Sequence, residues 1–366
     1  MAAPARHRVR PRDRISGHTV FFPLAAVHAA LSVPLWLASW LGWLPALPPA
    51  AHAQEMLAGF ALAVVGGFLL TRPGRHDLFL AVSAWLAGRV GVWLPLPEPW
   101  ASLCALAYPV ALFVMAGLPF LRASKSAHNA IFGPLIGAFI PVTLLYRLSA
   151  DPGAVAQFGL YLVALLLFTM GGRIIPAAAA GALRRKGGLL VERVQRPLEW
   201  TGIAAIATAG LLTQFDSLGR FAAAASILGG VIALWRLLRW RPLDTLDQPD
   251  LWSLNLGYAW LGIGLLLAGV QRITPLPEAT GWHALSVGAL GTLAASMMVR
   301  ASLQRGGLPI AFPPAATVMV VLIGLATLLR LAVALGGGSA FLMGSAVLWV
   351  AAYLLLLEIL RRILRR

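Results

Sequence analysis

The residues best suited to chemistry are two histidines that each open an apolar segment. His52 begins the run 51–71 and is followed by Glu55, and His283 begins the run 282–303. Residues three apart share one helix face, so His52 and Glu55 should lie together. Neutral imidazoles on separate helices can ligate a metal ion or haem iron, and a neighbouring carboxylate can orient one or relay a proton. The spacing also fits two amphipathic histidines bonded to backbone or water.

Further ionisable residues lie within or beside apolar segments, where charge is expensive. We expect His28, part-way along the first run, to be a third ligand or a partner of Glu55; a polar residue satisfied by a neighbouring helix is the simpler alternative. Arg89 must face the bundle interior or a water-filled cavity, with Glu55 or haem propionates as its partner. Arg173 is expected at the cytoplasmic surface, where it can snorkel. Structural roles are expected for Arg300 and Glu358, and a solvated position for His7, His18, His76 and His128.

Helices must position these residues, because apolar stretches of about the 20 residues that a spanning helix needs run from end to end of the chain. The 366 residues are 59% hydrophobic and 11% charged, which leaves no room for a large soluble domain. The sequence predicts an all-α, polytopic transmembrane bundle of about twelve helices in a lipid bilayer. The expected spans are 20–43, 51–71, 78–94, 100–121, 128–147, 153–172, 198–214, 220–238, 251–271, 282–303, 311–334 and 340–361.

The basic residues predict the orientation of this bundle. With a cytoplasmic N-terminus, all but five of the 29 Lys and Arg residues fall on the inner side or in inner loops, as the positive-inside rule requires. Both termini are therefore expected in the cytoplasm. The formal charge of +16 is spread over helix ends, which favours contact with anionic lipid head groups and argues against nucleic acid. The five exceptions are Arg89, Arg147, Arg220, Arg272 and Arg330.

The predicted domain organisation is simple. A basic cytoplasmic tail, 1–19, precedes one integral membrane domain, 20–366, in which a basic loop, 173–197, separates helices 1–6 at 20–172 from helices 7–12 at 198–361. The first apolar run exceeds the roughly 7–15 residues of a signal-peptide core, so we expect a retained helix. The single Cys104 excludes an internal disulfide. Small residues at helical spacing predict close helix packing at Gly59, Gly66, Gly67, Gly171, Gly172, Gly257 and Gly264.

Several stretches carry a resemblance to a known family. The sequence reads FFPLAA at 21–26 and PLWL at 34–37, and the first histidine motif reads HAQEMLAGFA at 52–61. The other matching stretches are GGRIIP at 171–176, LWSLNLGY at 251–258 and HALSVGALGT at 283–292. In this order, over most of its length, the chain resembles the NnrS family of bacterial membrane proteins.

The resemblance implies a twelve-helix protein of the bacterial inner membrane that binds haem and copper. It also implies a role in the response to nitric oxide during denitrification and in protection from nitrosative stress, with nitric oxide or another small apolar molecule as ligand. The recurrent polar positions of the family correspond here to His52, Glu55, Arg89, Arg173 and His283. No established catalytic constellation stands out, so enzymatic activity would rest on redox chemistry at haem or copper.

This chain also departs from the pattern of the family. Gln54 stands where the family usually has a second histidine, and Asn255 stands where a histidine is frequent. Histidine is also missing from 302–306, and 177–180 is all alanine where a polar stretch is usual. Amides are poor ligands for copper or haem, so Gln54 and Asn255 are expected to support the ligands rather than to bind metal. Glu55 is expected to support them as the carboxylate beside His52. The chain therefore keeps one metal centre or none.

Two other functions fit the sequence. A transporter or permease for a small solute would need a watery cavity lined by Glu55, Arg89 and the histidines, with helices broken at mid-depth. A structural or assembly protein of the membrane would need no metal, and the missing histidines favour it more here than in other members of the family. Fold alone does not separate these functions.

Overall fold

Long helices make up most of the chain. The computed structural model describes residues 15–45, 47, 49–123 and 130–365, and no strand occurs within those ranges. The helices, in chain order, are α1 (His18–Trp40), α2 (Ala51–Leu69), α3 (Arg75–Trp93), α4 (Trp100–Arg122), α5 (Phe132–Leu148), α6 (Pro152–Arg185), α7 (Arg196–Leu212), α8 (Gly219–Arg239), α9 (Pro249–Val270), α10 (Ala279–Arg305), α11 (Pro314–Ala334) and α12 (Ser339–Leu364).

A helix occupies each interval in which the sequence predicts a span. Within the described part of the chain, nine helices are long and apolar enough to cross a membrane, and α5 is a shorter apolar helix. The all-helical, multi-pass architecture is thus confirmed. The count of twelve spans and the cytoplasmic position of both termini stay predictions.

The helices begin where the local sequence favours a start. Proline occupies one of the first two positions of α6, α7, α9 and α11, where its missing N–H costs no intrahelical hydrogen bond. At α6, the side chain of Asp151 also accepts a hydrogen bond from the backbone N–H of Ala154 at 3.1 Å.

The two helices that carry the candidate histidines are the most buried of the bundle. Of the most apolar stretch in each helix, 78% of residues are buried in α10 and 67% in α2. The corresponding share is 33% in α4, α11 and α12, whose outer faces are left for lipid. Helices α2 and α10 therefore lie in the interior of the bundle rather than at its lipid-facing surface.

Glycines allow α10 to pack closely against α9. A Cβ at Gly264 would lie 2.9 Å from the backbone N of Leu285, and a Cβ at Gly257 would lie 3.0 Å from the backbone N of Leu293. Backbones that approach this closely admit no side chain at either position. The predicted packing role of these two glycines is confirmed.

Arg305 links α10 to α2 at the end opposite the histidines. Its guanidinium donates to the backbone oxygens of Gly67 and Phe68, at 2.9 and 2.8 Å. These carbonyls belong to the last turn of α2, where intrahelical partners run out. The contact fixes α2 alongside α10 and so sets the register of the two histidines.

Candidate functional site

Each candidate histidine precedes a stretch of π-helix. In α2 this stretch is Glu55–Ala61, three residues after His52, and in α10 it is Ala284–Gly291, directly after His283. A π-helical turn is wider than an α-helical one, and such turns occur frequently at functional sites. Both histidines thus lie at or just before the point where an α-helix changes to a π-helix.

His52 and His283 line the same cavity, of about 420 Å³, which we call the histidine cavity. Its walls come from the last turns of α1 and α11 and from the first turns of α2, α6, α10 and α12. Those ends meet at one end of the bundle only if the helices alternate in direction. The two imidazoles therefore line one cavity at one end of the protein.

Each of the two histidines has a ring nitrogen without a hydrogen-bond partner among the described residues. Nδ1 of His283 donates to the backbone oxygen of Ala279 at 2.7 Å, and a neutral ring then carries its lone pair on Nε2. This kind of hydrogen bond orients metal-ligating histidines. Nδ1 of His52 is buried and has no hydrogen-bond partner among the described residues. A buried polar atom without a partner costs about 1–3 kcal/mol, which a ligand would relieve.

Two charged residues, Arg330 and Glu278, line the otherwise largely apolar cavity. Arg330, near the end of α11, contributes to the wall and has no ion-pair partner within the part of the chain that the structure describes. Trp36 packs its ring on the imidazole of His52, with ring centroids 4.7 Å apart. An arginine and aromatic walls suit a flat apolar ligand that carries an anionic group.

A second polar cluster, the Glu55 cluster, joins α1, α2 and α3. One carboxylate oxygen of Glu55 lies 3.1 Å from Nε2 of His28, and the other lies 3.3 Å from Nε of Arg89. Nε2 of His28 is also 3.1 Å from the backbone oxygen of Glu55. Because a backbone oxygen can only accept a hydrogen bond, Nε2 of His28 carries the proton. None of these three side chains lines the histidine cavity.

The Glu55 cluster depends on a glycine. A Cβ at Gly59 would overlap Nη1 of Arg89 and Nε2 of His28. The backbone oxygen of Gly59 also accepts a hydrogen bond from Nε1 of Trp85 at 2.8 Å. The wide turn and the missing side chain at Gly59 together make space for a buried arginine.

The other predicted site residues lie outside the histidine cavity. The guanidinium of Arg173 packs on the ring of Phe132, 4.7 Å from its centroid. Nδ2 of Asn255 is 3.4 Å from Oγ1 of Thr245. Gln54 is buried beside His52 in the chain, yet it is not part of the cavity wall. We therefore assign no ligand contact in this cavity to His28, Arg89, Arg173, Gln54 or Asn255.

One expected environment is wrong. His18 is 6% exposed and hydrogen-bonds to Oγ of Ser16 at 2.6 Å, because α1 begins at this residue and packs against the end of α2. His76 is exposed, as expected. The basic tail up to residue 14, His7 and His128 lie outside the described residues.

Sequence reasoning passed over two arginines that the structure places in the interior. In the sequence, Arg330 stands out only as an exception to the positive-inside pattern. That exception is the sequence signal that points to an interior position. Arg236, assigned to an inner helix end, is 1% exposed. It donates to the hydroxyl of Tyr258 at 3.1 Å and lies 3.8 Å from a carboxylate oxygen of Glu199.

The fold and site define a multi-pass helical membrane protein with a largely apolar cavity. Among the described residues, no group of three or more His, Cys, Asp or Glu side chains could hold a metal ion. The family model described as NnrS protein matches residues 15–366, and the chain belongs to the NnrS family. No curated protein matches the chain.

Proposed function

We propose that the histidine cavity binds haem through His52 and His283 and that the protein acts in the response to nitric oxide. The carrying observation is that two imidazoles with available nitrogens, from helices far apart in the chain, line one cavity. Membership of the NnrS family supports the same cofactor class and the same physiological role. The proposed location is the bacterial inner membrane.

The size of the cavity favours haem over a bare metal ion. A cavity of about 420 Å³ is far larger than an ion needs and falls within the range of small-molecule and cofactor sites. A metal ion bound by protein side chains alone usually needs three or four ligands. No such group of three occurs among the described residues. Two histidines without a third match iron whose other ligands come from a porphyrin.

Arg330 is the residue in the cavity wall that would bind the propionate groups of a haem. A guanidinium in an apolar wall, without an ion-pair partner among the described residues, would be neutralised by a propionate. Trp36 would pack beside the ring system and hold the imidazole of His52 in place. His283, oriented by Ala279, would offer Nε2 from the other helix.

Bound haem would supply a redox-active iron, which would accept a small diatomic ligand only where one of the two imidazoles is displaced. The protein's own contribution is to exclude water from an apolar cavity, to orient two imidazoles and to offset negative charge with Arg330. Copper held by the same two imidazoles is a second candidate, since imidazole suits copper as well. The solute transporter predicted as an alternative would place Glu55 and Arg89 in the cavity wall, whereas these residues pair with each other.

Absorption spectra and metal analysis of the purified protein test this proposal. The wild-type protein should show a Soret band and contain iron, and His52→Ala and His283→Ala should each lose the band. His76→Ala is the matched control, because His76 is exposed and lies outside the cavity, and it should keep the band. A colourless but folded wild-type protein, or a band that survives both cavity substitutions, would contradict the proposal. Copper without a Soret band would select the second candidate.

A further inference from the structure

A second, smaller cavity lies within the bundle, and its lining is entirely nonpolar. We call it the apolar cavity; its volume is about 70 Å³. Side chains of α2, α5, α6 and α10 form it, among them Leu62, Phe139, Val163, Leu290 and Ala294. No side-chain nitrogen or oxygen is available there to hold a water molecule by hydrogen bonds.

The apolar cavity adjoins the histidine cavity along the same helices. Leu290, on α10, lines both. On α2 the wall passes from Leu57 in the histidine cavity to Ala61 in the apolar one, and on α6 it passes from Leu160 to Val163. The two cavities therefore follow one another along the helices, and Leu290 forms part of both walls.

We propose that the apolar cavity binds a small uncharged gas and that Leu290 separates this gas from the histidine cavity. Size selects the occupant, because an engineered apolar cavity of about 150 Å³ holds benzene or xenon, and this one is less than half that volume. A diatomic gas or a xenon atom fits this volume. Water gains no polar partner there, and an ion would be left unsolvated.

The position of the apolar cavity gives it a role in supplying the histidine cavity. A nonpolar gas dissolves readily in the lipid around the helices and would reach the protein interior without crossing polar groups. Rotation of one buried leucine side chain is a small and rapid motion compared with helix movement. This supply role rests on the proposed function, since it assumes a gas-binding cofactor in the histidine cavity; the gas site itself does not.

Xenon in pressurised crystals tests the gas site independently of any cofactor. We expect xenon density in the apolar cavity of the wild-type protein, its loss in Ala294→Leu, and higher occupancy in the enlarged variant Val163→Ala. Ala156→Leu, the same change in a residue that lines only the histidine cavity, should leave this density in place. Wild-type protein without xenon in this cavity would overturn the proposal. If Ala294→Leu does not fold, unchanged occupancy in Val163→Ala would overturn it as well.

Carbon monoxide rebinding after flash photolysis tests the supply role in haem-loaded protein. Ala294→Leu should slow rebinding severalfold while the spectrum of the unliganded haem stays the same, and Leu290→Ala should speed it. Xenon binding combined with unchanged rates in both variants would overturn the supply role. Xenon binding in a protein without haem would support the gas site and contradict only the proposed function.

Discussion

The carboxylate of Glu55 and the guanidinium of Arg89 form an ion pair inside the bundle, with Nε of Arg89 3.3 Å from Oε1 of Glu55. Their side chains are 3% and 13% exposed, so neither charge is solvated by bulk water. The two charges lie outside the histidine cavity and neutralise each other. Arg330 is then left as the cation for a ligand in that cavity.

Replacing Glu55 by Gln should destabilise the protein. The substitution keeps the size of the side chain and leaves the buried charge of Arg89 without its counter-ion, which costs about 3–5 kcal/mol. Unfolding of the purified variant in detergent, followed by helical circular dichroism, measures the change.

The double variant Glu55→Gln, Arg89→Gln is the control for this effect. Removal of both charges should recover much of the loss, giving a favourable coupling energy in the double-mutant cycle. If the two single substitutions were additive, the ion pair would contribute nothing to stability and the interpretation of the Glu55 cluster would fail.

A methyl group at Gly59 should be poorly tolerated. In Gly59→Ala the new Cβ overlaps Arg89 and His28, and overpacking of this kind costs about 1–3 kcal/mol. The matched control is Gly324→Ala in α11, where nothing lies within 4 Å of an added Cβ. That change should be neutral or stabilising by up to about 1 kcal/mol, since glycine is unfavourable inside a helix. Equal melting temperatures for the two variants would contradict the proposed crowding.

Arg330 should affect cofactor retention more than folding. Arg330→Gln removes the charge that faces the cavity, and a hydrogen bond to a charged group contributes about 1.5–3 kcal/mol. We expect haem to be lost to an acceptor such as apomyoglobin about tenfold faster or more, since about 1.4 kcal/mol corresponds to a factor of ten. Arg330→Lys keeps the charge and should show a smaller effect. Haem transfer at the wild-type rate in Arg330→Gln would exclude a contact with the propionates.

The connection between α3 and α4 should make a pH-dependent contribution to stability. Oγ of Ser102 donates to Glu98 at 2.6 Å and Nε of Arg147 donates at 2.9 Å, and these bonds lower the pKa of Glu98 below its ordinary value. A carboxyl whose pKa is lowered by folding stabilises the protein above its unfolded pKa and loses that contribution as the pH falls through the folded value. The melting temperature of wild type should therefore exceed that of Glu98→Gln at neutral pH by an amount that shrinks on acidification. A difference independent of pH would contradict this assignment.

The bundle and the pairing of the histidines could be predicted from simple physical patterns. Runs of about 20 apolar residues indicate the helices, because an unpaired backbone is too costly in lipid. His52 and His283 each open an even-numbered run, so counting crossings predicts that they lie at the same end. In the structure both histidines line the histidine cavity.

Other features of the site depend on contacts that the sequence does not encode locally. Nothing in the residues of Glu55–Ala61 or Ala284–Gly291 distinguishes a π-helix from an α-helix. The partner of His28 could not be chosen, because its rotation about α1 relative to α2 depends on packing. Arg330 belongs to the cavity only because α11 ends beside α10.

Electron paramagnetic resonance of the ferric protein tests most directly whether His52 and His283 hold one haem together. Two axial imidazoles give low-spin iron, so the wild-type protein should show a low-spin signal. Replacement of either histidine by alanine should convert it to a high-spin signal or abolish haem binding. A wild-type spectrum that is already high-spin, or a low-spin signal that survives in His52→Ala or in His283→Ala, would contradict a haem held by both residues.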